Sequence, residues 1–248
     1  MRSFGQTHIA VLLITVAFYA VTMFAAYKLP RKGQTALFVL GALGCSLGLF
    51  WRYGLNMTLD FTHIRWDTLA IQLLQVCNFN FLLVLLMLIP KCELARQYSC
   101  MFSMFAAATV MLSIPKRYAD APWYDPEFLN FWLNHVFAIA LPLWMMSAGR
   151  LRPQKKYILP VAACVVAYFL VCYYCTEWLH DIGKISQNTT FSYVYDPSGI
   201  PPLVWLHELI PVPCYYLAPL IPPMIGFFWL LTYLFRNSNA AYIQKKKK

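Results

Sequence analysis

The chain has 248 residues, of which 60% are hydrophobic, 17% are aromatic and only 12% are charged. This composition excludes an ordinary soluble domain, in which roughly 25% of the residues are charged. The formal charge of +10 is therefore assigned to the flanks of membrane spans. No nucleic-acid partner is expected, because no basic patch interleaved with stacking aromatics lies in a soluble segment.

Apolar runs recur along the chain, and each approaches the roughly 20 residues that cross about 30 Å of hydrocarbon. We predict an all-α polytopic membrane protein that forms a single transmembrane helical domain over residues 1–248. Prolines in the last run predict that it is kinked, or split into a short interfacial helix and a shorter span. The seven predicted spans are 8–27, 35–54, 67–90, 95–114, 128–148, 157–177 and 211–235.

Lysine and arginine predict the orientation, because basic residues are retained on the cytosolic side of a membrane. With seven spans, 14 of the 20 basic residues fall on one side and 6 on the other. The N-terminus is therefore expected outside or in the lumen, and residues 236–248 form a basic cytosolic tail. The chain ends in four lysines, the dilysine pattern of retrieval to the endoplasmic reticulum. We expect that membrane, or the plasma membrane if the chain is bacterial.

The third and fifth predicted spans carry an unusual number of polar and reactive side chains. A carboxamide or thiol in hydrocarbon costs free energy unless a neighbour satisfies it, so such clusters mark a site or a contact between helices. In the alternative interpretation, the amides join helices and the cysteine packs as a small core residue. The side chains in question are Gln75, Cys77, Asn78 and Asn80 in the third span and Asn134 and His135 in the fifth.

Cys77 and His135 lie at similar predicted depths, about 15 and 10 Å below the same surface at ~1.5 Å per residue. In hydrocarbon an unaided thiol stays protonated and inert, whereas an adjacent imidazole can take its proton. The thiolate then attacks an ester carbonyl and forms a thioester. Asn78, Asn80 and Asn134 are candidates to orient the imidazole or to bind the oxyanion.

The longest stretch between predicted spans, residues 178–210, is rich in aromatics and prolines. A stretch of this length in a compact protein is normally a lid or a binding loop. Aromatic residues favour the membrane interface. We therefore predict a lumenal lid over a lipid site.

Five short motifs, at residues 4–8, 75–78, 131–136, 195–197 and 213–216, resemble in order and spacing the YwaF-like integral-membrane family. That family is related to a mammalian polytopic acyltransferase that forms polyunsaturated ether phospholipids. The resemblance implies a seven-helix enzyme with Cys77 as nucleophile and His135 as base, acting on phospholipid or lysophospholipid in the bilayer. The residues expected to bind substrate are Gln75, His8, Tyr193, Tyr195 and Asp196.

Three other functions stay open at this point. Attack of water on the same thioester would make the enzyme a lipid esterase. Histidines and acids on the outer side suggest a zinc-dependent seven-helix lipid hydrolase, and a non-enzymatic lipid transporter is the third alternative. We expect no cofactor and no metal, because no two of the five histidines stand four residues apart on a helix.

Overall fold

A computed structural model describes residues 5–50, 75–89, 92–115, 118, 122–185, 191–197 and 199–236. These residues form α-helices with short 3-10 and π segments, and they contain no strand, so the all-α prediction is confirmed for them. The helices are α1 (Gln6–Lys28), α2 (Arg31–Phe50), α3 (Val76–Leu86), α4 (Glu93–Tyr98), α5 (Met104–Leu112), α6 (Pro126–Ser147), α7 (Ile158–Asp181), α8 (Pro201–Leu209) and α9 (Ile221–Leu234).

Four helical segments among the described residues are long and apolar enough to cross a membrane. Two of them are α1 and α6, and two begin with 3-10 turns that lead into α7 (Lys155–Asp181) and α9 (Tyr215–Leu234). They coincide with the first, fifth, sixth and seventh predicted spans, so the chain is an integral membrane protein. Helices α2, α3 and α4 to α5 overlap the other three predicted spans. Their crossing of the membrane stays a prediction, as does the orientation.

The structure corrects two predictions made from the sequence. The described part of the third predicted span becomes helical only at Val76, after the extended residue Gln75 (φ −63°, ψ 129°), whereas residues 67–74 lie outside the described part. Residues 201–209, predicted within a loop, form α8. Its first two residues are prolines, and proline is well suited to the first turn because its missing N–H has no intrahelical partner there.

Helix α6 is the central helix of the fold. In its most apolar 18-residue window 72% of the residues are buried, against 11% in α1, and it contacts α1, α2, α3 and α5. Helix α2 approaches α6 closely at Gly44, where an added Cβ would lie only 2.7 Å from the Phe137 ring. Helix α6 is therefore shielded from lipid, which suits its polar side chains.

Hydrogen bonds between side chains join α1 to α6. The indole N–H of Trp132 donates to the Thr15 hydroxyl at 3.1 Å, and that of Trp144 donates to the Thr22 hydroxyl at 2.8 Å. Bonds of this kind contribute roughly 0.6–2 kcal/mol each in a membrane. Together they fix the height and rotation of α6, and therefore the position of every side chain on it.

Candidate active site

Cys77 lies in the first turn of α3 and is 9% exposed. Two contacts hold this short helix in place. The Phe79 ring stacks on Tyr168 of α7 with centroids 4.9 Å apart and an interplanar angle of 15°. The Ser99 hydroxyl, at the start of the π segment Ser99–Ser103, donates to the Leu83 carbonyl at 3.0 Å. The thiol is therefore carried by a helix fixed on two sides.

His135 lies on α6 and is only 3% exposed. Its Nδ1 is 2.6 Å from the carbonyl oxygen of Phe131, one turn earlier, and the Phe131 ring lies 4.5 Å from the imidazole centroid. A carbonyl oxygen can only accept, so Nδ1 carries the proton and donates it. In the neutral imidazole Nε2 is then the acceptor.

The Sγ atom of Cys77 lies 3.2 Å from Nε2 of His135. Because Nε2 is the acceptor, the thiol S–H donates to it, and proton transfer along this contact yields a thiolate beside an imidazolium. The two residues stand 58 positions apart in the chain, and the fold brings them together as the sequence predicted. A thiol hydrogen bonded to an imidazole in this way has the geometry that nucleophilic catalysis requires.

The three asparagines assigned to orientation or oxyanion binding differ in how far they are described. Asn78 follows Cys77 and is 4% exposed. Asn134 precedes His135, and its Nδ2 donates to Oδ1 of Asn130 at 3.1 Å. The side chain of Asn80 lies outside the described part of the chain. The roles of all three stay predictions.

The sequence did not predict the orienting contact that the Phe131 carbonyl makes with His135. Every residue has a carbonyl group, so no pattern of residue types reveals which one will face a ring nitrogen. A signal was nevertheless present, because Phe131 stands four residues before His135 and therefore shares its helix face.

Among the expected substrate-binding residues, Gln75 and His8 lie at the N-terminal ends of α3 and α1. Gln75 is half-buried and immediately precedes α3. His8 is fully buried, where its Nε2 donates to the Met111 carbonyl of α5 at 2.8 Å and its ring meets Trp132 edge-on. The structure thus places His8 in the contact of α1 with α5 and α6.

The other expected substrate-binding residues, Tyr193, Tyr195 and Asp196, lie in residues 191–197, which we call the strap. The Tyr195 hydroxyl donates to the Glu177 carboxylate of α7, and its ring stacks on Tyr173 at 5.4 Å. Partial burial and the Glu177 hydrogen bond raise the pKa of Tyr195 above its ordinary value, so this phenol stays a neutral donor. Asp196 is exposed.

An apolar cavity of about 290 Å³ lies beside the Cys77 helix. Its walls come from α5, α7, the strap, α8 and the 3-10 turn at Tyr215–Leu220, and Val76 of α3 is also part of them. The sequence did not predict this cavity, because its walls come from segments spread along the chain from Val76 to Met224.

Metal ligands do not cluster in the described part of the chain. No group of three His, Cys, Asp or Glu side chains that could hold a metal ion occurs there. The expectation of a metal-free enzyme stays a prediction.

The sequence pattern of the TMEM164 family matches residues 3–233, so the chain belongs to this family of membrane proteins. No curated protein and no solved structure matches the chain. The finer relationship to the YwaF-like family and its acyltransferase relative stays a prediction.

Proposed function

We propose that this protein is a membrane-embedded phospholipid acyltransferase in which Cys77 carries the acyl group as a thioester and His135 is the base. The observation that carries the proposal is the 3.2 Å contact between Sγ and Nε2. The hydrogen bond from Nδ1 to the Phe131 carbonyl leaves Nε2 as the acceptor, so the proton passes from the thiol to the imidazole.

The first half of the reaction loads the cysteine. The Cys77 thiol passes its proton to Nε2 of His135, and the thiolate attacks the ester carbonyl of a donor phospholipid. The ester C–O bond breaks as the S–C bond of the thioester forms. The departing lysophospholipid oxygen takes the proton back from Nε2, so the imidazole is neutral again.

The second half transfers the acyl group to the acceptor. The hydroxyl of a lysophospholipid gives its proton to Nε2 of His135 and attacks the thioester carbonyl. The S–C bond breaks, the new ester C–O bond forms, and the Cys77 sulfur recovers the proton. Donor and acceptor are both lipids, so neither has to leave the bilayer.

Two features of the surroundings favour this chemistry. Cys77 stands in the first turn of α3, where the helix dipole favours negative charge on the thiolate or on the oxyanion of the tetrahedral intermediate. The sulfur and the imidazole are both buried. Limited access of water favours a lipid hydroxyl over water as the second nucleophile, and so transfer over hydrolysis.

The proposed setting follows from the sequence. The four terminal lysines favour the endoplasmic reticulum membrane. In the predicted orientation the strap and the first turn of α3 lie toward the lumenal side, so the pair would act on lipids of the lumenal leaflet.

The test is acylation of the purified protein by a donor phospholipid, measured by intact-protein mass. We expect one acyl group on Cys77, removed by hydroxylamine, which cleaves thioesters. Cys77→Ala should abolish both the label and turnover. The matched control is Cys45→Ala, because Cys45 is also buried but lies on α2, and this variant should retain both.

Added lysophospholipid then distinguishes transfer from hydrolysis. A transferase discharges the acyl group into a new diacyl phospholipid. Free fatty acid as the dominant product would identify the esterase that uses the same pair. Full activity in Cys77→Ala would refute the proposed site.

A further inference from the structure

We infer that the 290 Å³ cavity holds the hydrocarbon chain of the acyl group that Cys77 carries, and that its shape selects among acyl chains. This inference rests on the proposed function and adds to it a binding site for one part of the substrate.

The chemistry of the walls fits a hydrocarbon chain and no other part of a lipid. Nearly all of the lining side chains are apolar, and the polar exceptions are hydroxyls such as those of Thr109 and Ser192. A phosphate or other charged headgroup would find no ionic partner there. A chain that arrives from the bilayer leaves surroundings as apolar as the cavity, so its binding depends on van der Waals fit. Fit discriminates by length and by bends in the chain.

The cavity extends from the turn of α3 that carries the proposed nucleophile to exposed side chains of α7. Val76 in its wall is the direct neighbour of Cys77, about 3.8 Å away between Cα atoms. Other wall residues, Val166 and Leu170, are 39% and 42% exposed. Both lie near the middle of the span Lys155–Asp181, at the level of the hydrocarbon. The inferred route of a chain is therefore sideways from the bilayer, past these side chains, to the turn of α3 that carries Cys77.

The strap supplies a second argument. The hydroxyls of Ser192 and Tyr168 are hydrogen bonded at 2.5 Å, which places Ser192 level with the middle of α7. Non-helical backbone at membrane depth is tolerated only where it is buried in protein or lines a water-filled cavity. Ser192 is fully buried and is also part of the lining of this cavity, so the strap forms a protein wall of the cavity at that depth.

The backbone of the cavity wall is also strained. Ser192, Tyr193 and Cys214 have φ values of 50°, 66° and 63°, in the left-handed region that non-glycine residues rarely adopt. All three line the cavity. Such strain costs about 1–3 kcal/mol per residue and is concentrated at ligand clamps and active sites. Its clustering here supports a binding role for the cavity.

The test makes the same substitution, alanine to phenylalanine, at two positions. Ala106 lines the cavity, whereas Ala167 on α7 is exposed and does not line it. In reconstituted full-length protein, Ala106→Phe should lower the ratio of long-chain to short-chain acylation of Cys77 at least about tenfold, since a few methylene groups decide such a fit. Ala167→Phe should leave the ratio unchanged. Val166→Phe, at the exposed side of the cavity, gives the same test if Ala106→Phe does not fold.

A binding measurement separates this inference from the proposed function. The probe is a phosphatidylcholine with a diazirine at the end of one acyl chain, irradiated with the Cys77→Ala protein in liposomes. We expect labelling of peptides that contain Phe105 and Phe169 of the cavity wall, and at least about tenfold less of it when Ala106→Phe is added. Labelling spread evenly over lipid-facing helices, or a folded Ala106→Phe protein without effect, would overturn the inference. Cavity labelling without acylation of wild-type Cys77 would overturn the proposed function and keep the cavity as a chain site.

Discussion

Replacement of His135 by glutamine isolates its role as a base. Glutamine is close to histidine in size, and its carbonyl oxygen can accept the hydrogen bond from the Cys77 thiol that Nε2 accepts at 3.2 Å. It cannot take the proton. His135→Ala would instead leave a cavity at a residue that is 3% exposed, at a cost of a few kcal/mol in stability. His135→Gln therefore separates chemistry from folding.

The expected loss can be estimated from the site. A positioned general base contributes roughly 10²- to 10⁴-fold, which corresponds to about 2.7–5.5 kcal/mol at ~1.36 kcal/mol per factor of ten. Because the sulfur and the imidazole are both buried, water cannot readily replace the base. We expect single-turnover acylation of Cys77 to slow by at least ~10²-fold, while the melting temperature in detergent changes little.

The assay is the appearance of the acylated mass with time, under excess donor phospholipid, for wild-type, His135→Gln and Cys77→Ala protein. A His135→Gln protein that acylates Cys77 at the wild-type rate would refute the assignment of the base. Slow acylation with unchanged binding of the donor would support it, because a base acts on the chemical step.

Three further predictions concern topology, metal and packing. In sealed vesicles a C-terminal tag should be accessible from the cytosolic side and an N-terminal tag should not; a shielded C-terminal tag would contradict the charge argument. Elemental analysis of purified protein should find no stoichiometric zinc, and zinc that is lost on His135→Ala would favour the metallohydrolase. Gly44→Ala should destabilise the protein by about 1–3 kcal/mol because its Cβ would lie 2.7 Å from the Phe137 ring. Gly226→Ala should be neutral or stabilising by up to about 1 kcal/mol, because nothing lies within 4 Å of its added Cβ. Thermal unfolding of both variants is the measurement, and a Gly226→Ala protein less stable than the Gly44→Ala protein would refute this packing.

The sequence predicted the pairing of Cys77 and His135 for a physical reason. Polar groups are costly in hydrocarbon, so a thiol and an imidazole at similar depth in two apolar runs have few partners except each other. The lengths of the apolar runs likewise predicted most helices. The extended backbone at Gln75, directly before α3, was not predicted, because an apolar run does not show where the backbone changes from extended to helical.

Two other features could not be predicted from residue types alone. Pro201 and Pro202 were interpreted as loop residues, although proline also begins helices, and only the surrounding packing decides between the two outcomes. The cavity depends on how α5, α7 and the strap fit together. Such fit is a property of three-dimensional packing, which local periodicity does not contain.

The burial of α6 has a consequence for how the chain is made. This helix brings Asn134 and His135 into the bilayer, and an isolated helix with such groups inserts poorly. Its partners α1, α2 and α3 precede it in the chain, so the hydroxyls of Thr15 and Thr22 are already in the membrane when the ribosome delivers Trp132 and Trp144. Chain order thus provides the indoles of Trp132 and Trp144 and Nε2 of His135 with partners that are synthesised before them, so synthesis from the N-terminus is itself the order of assembly.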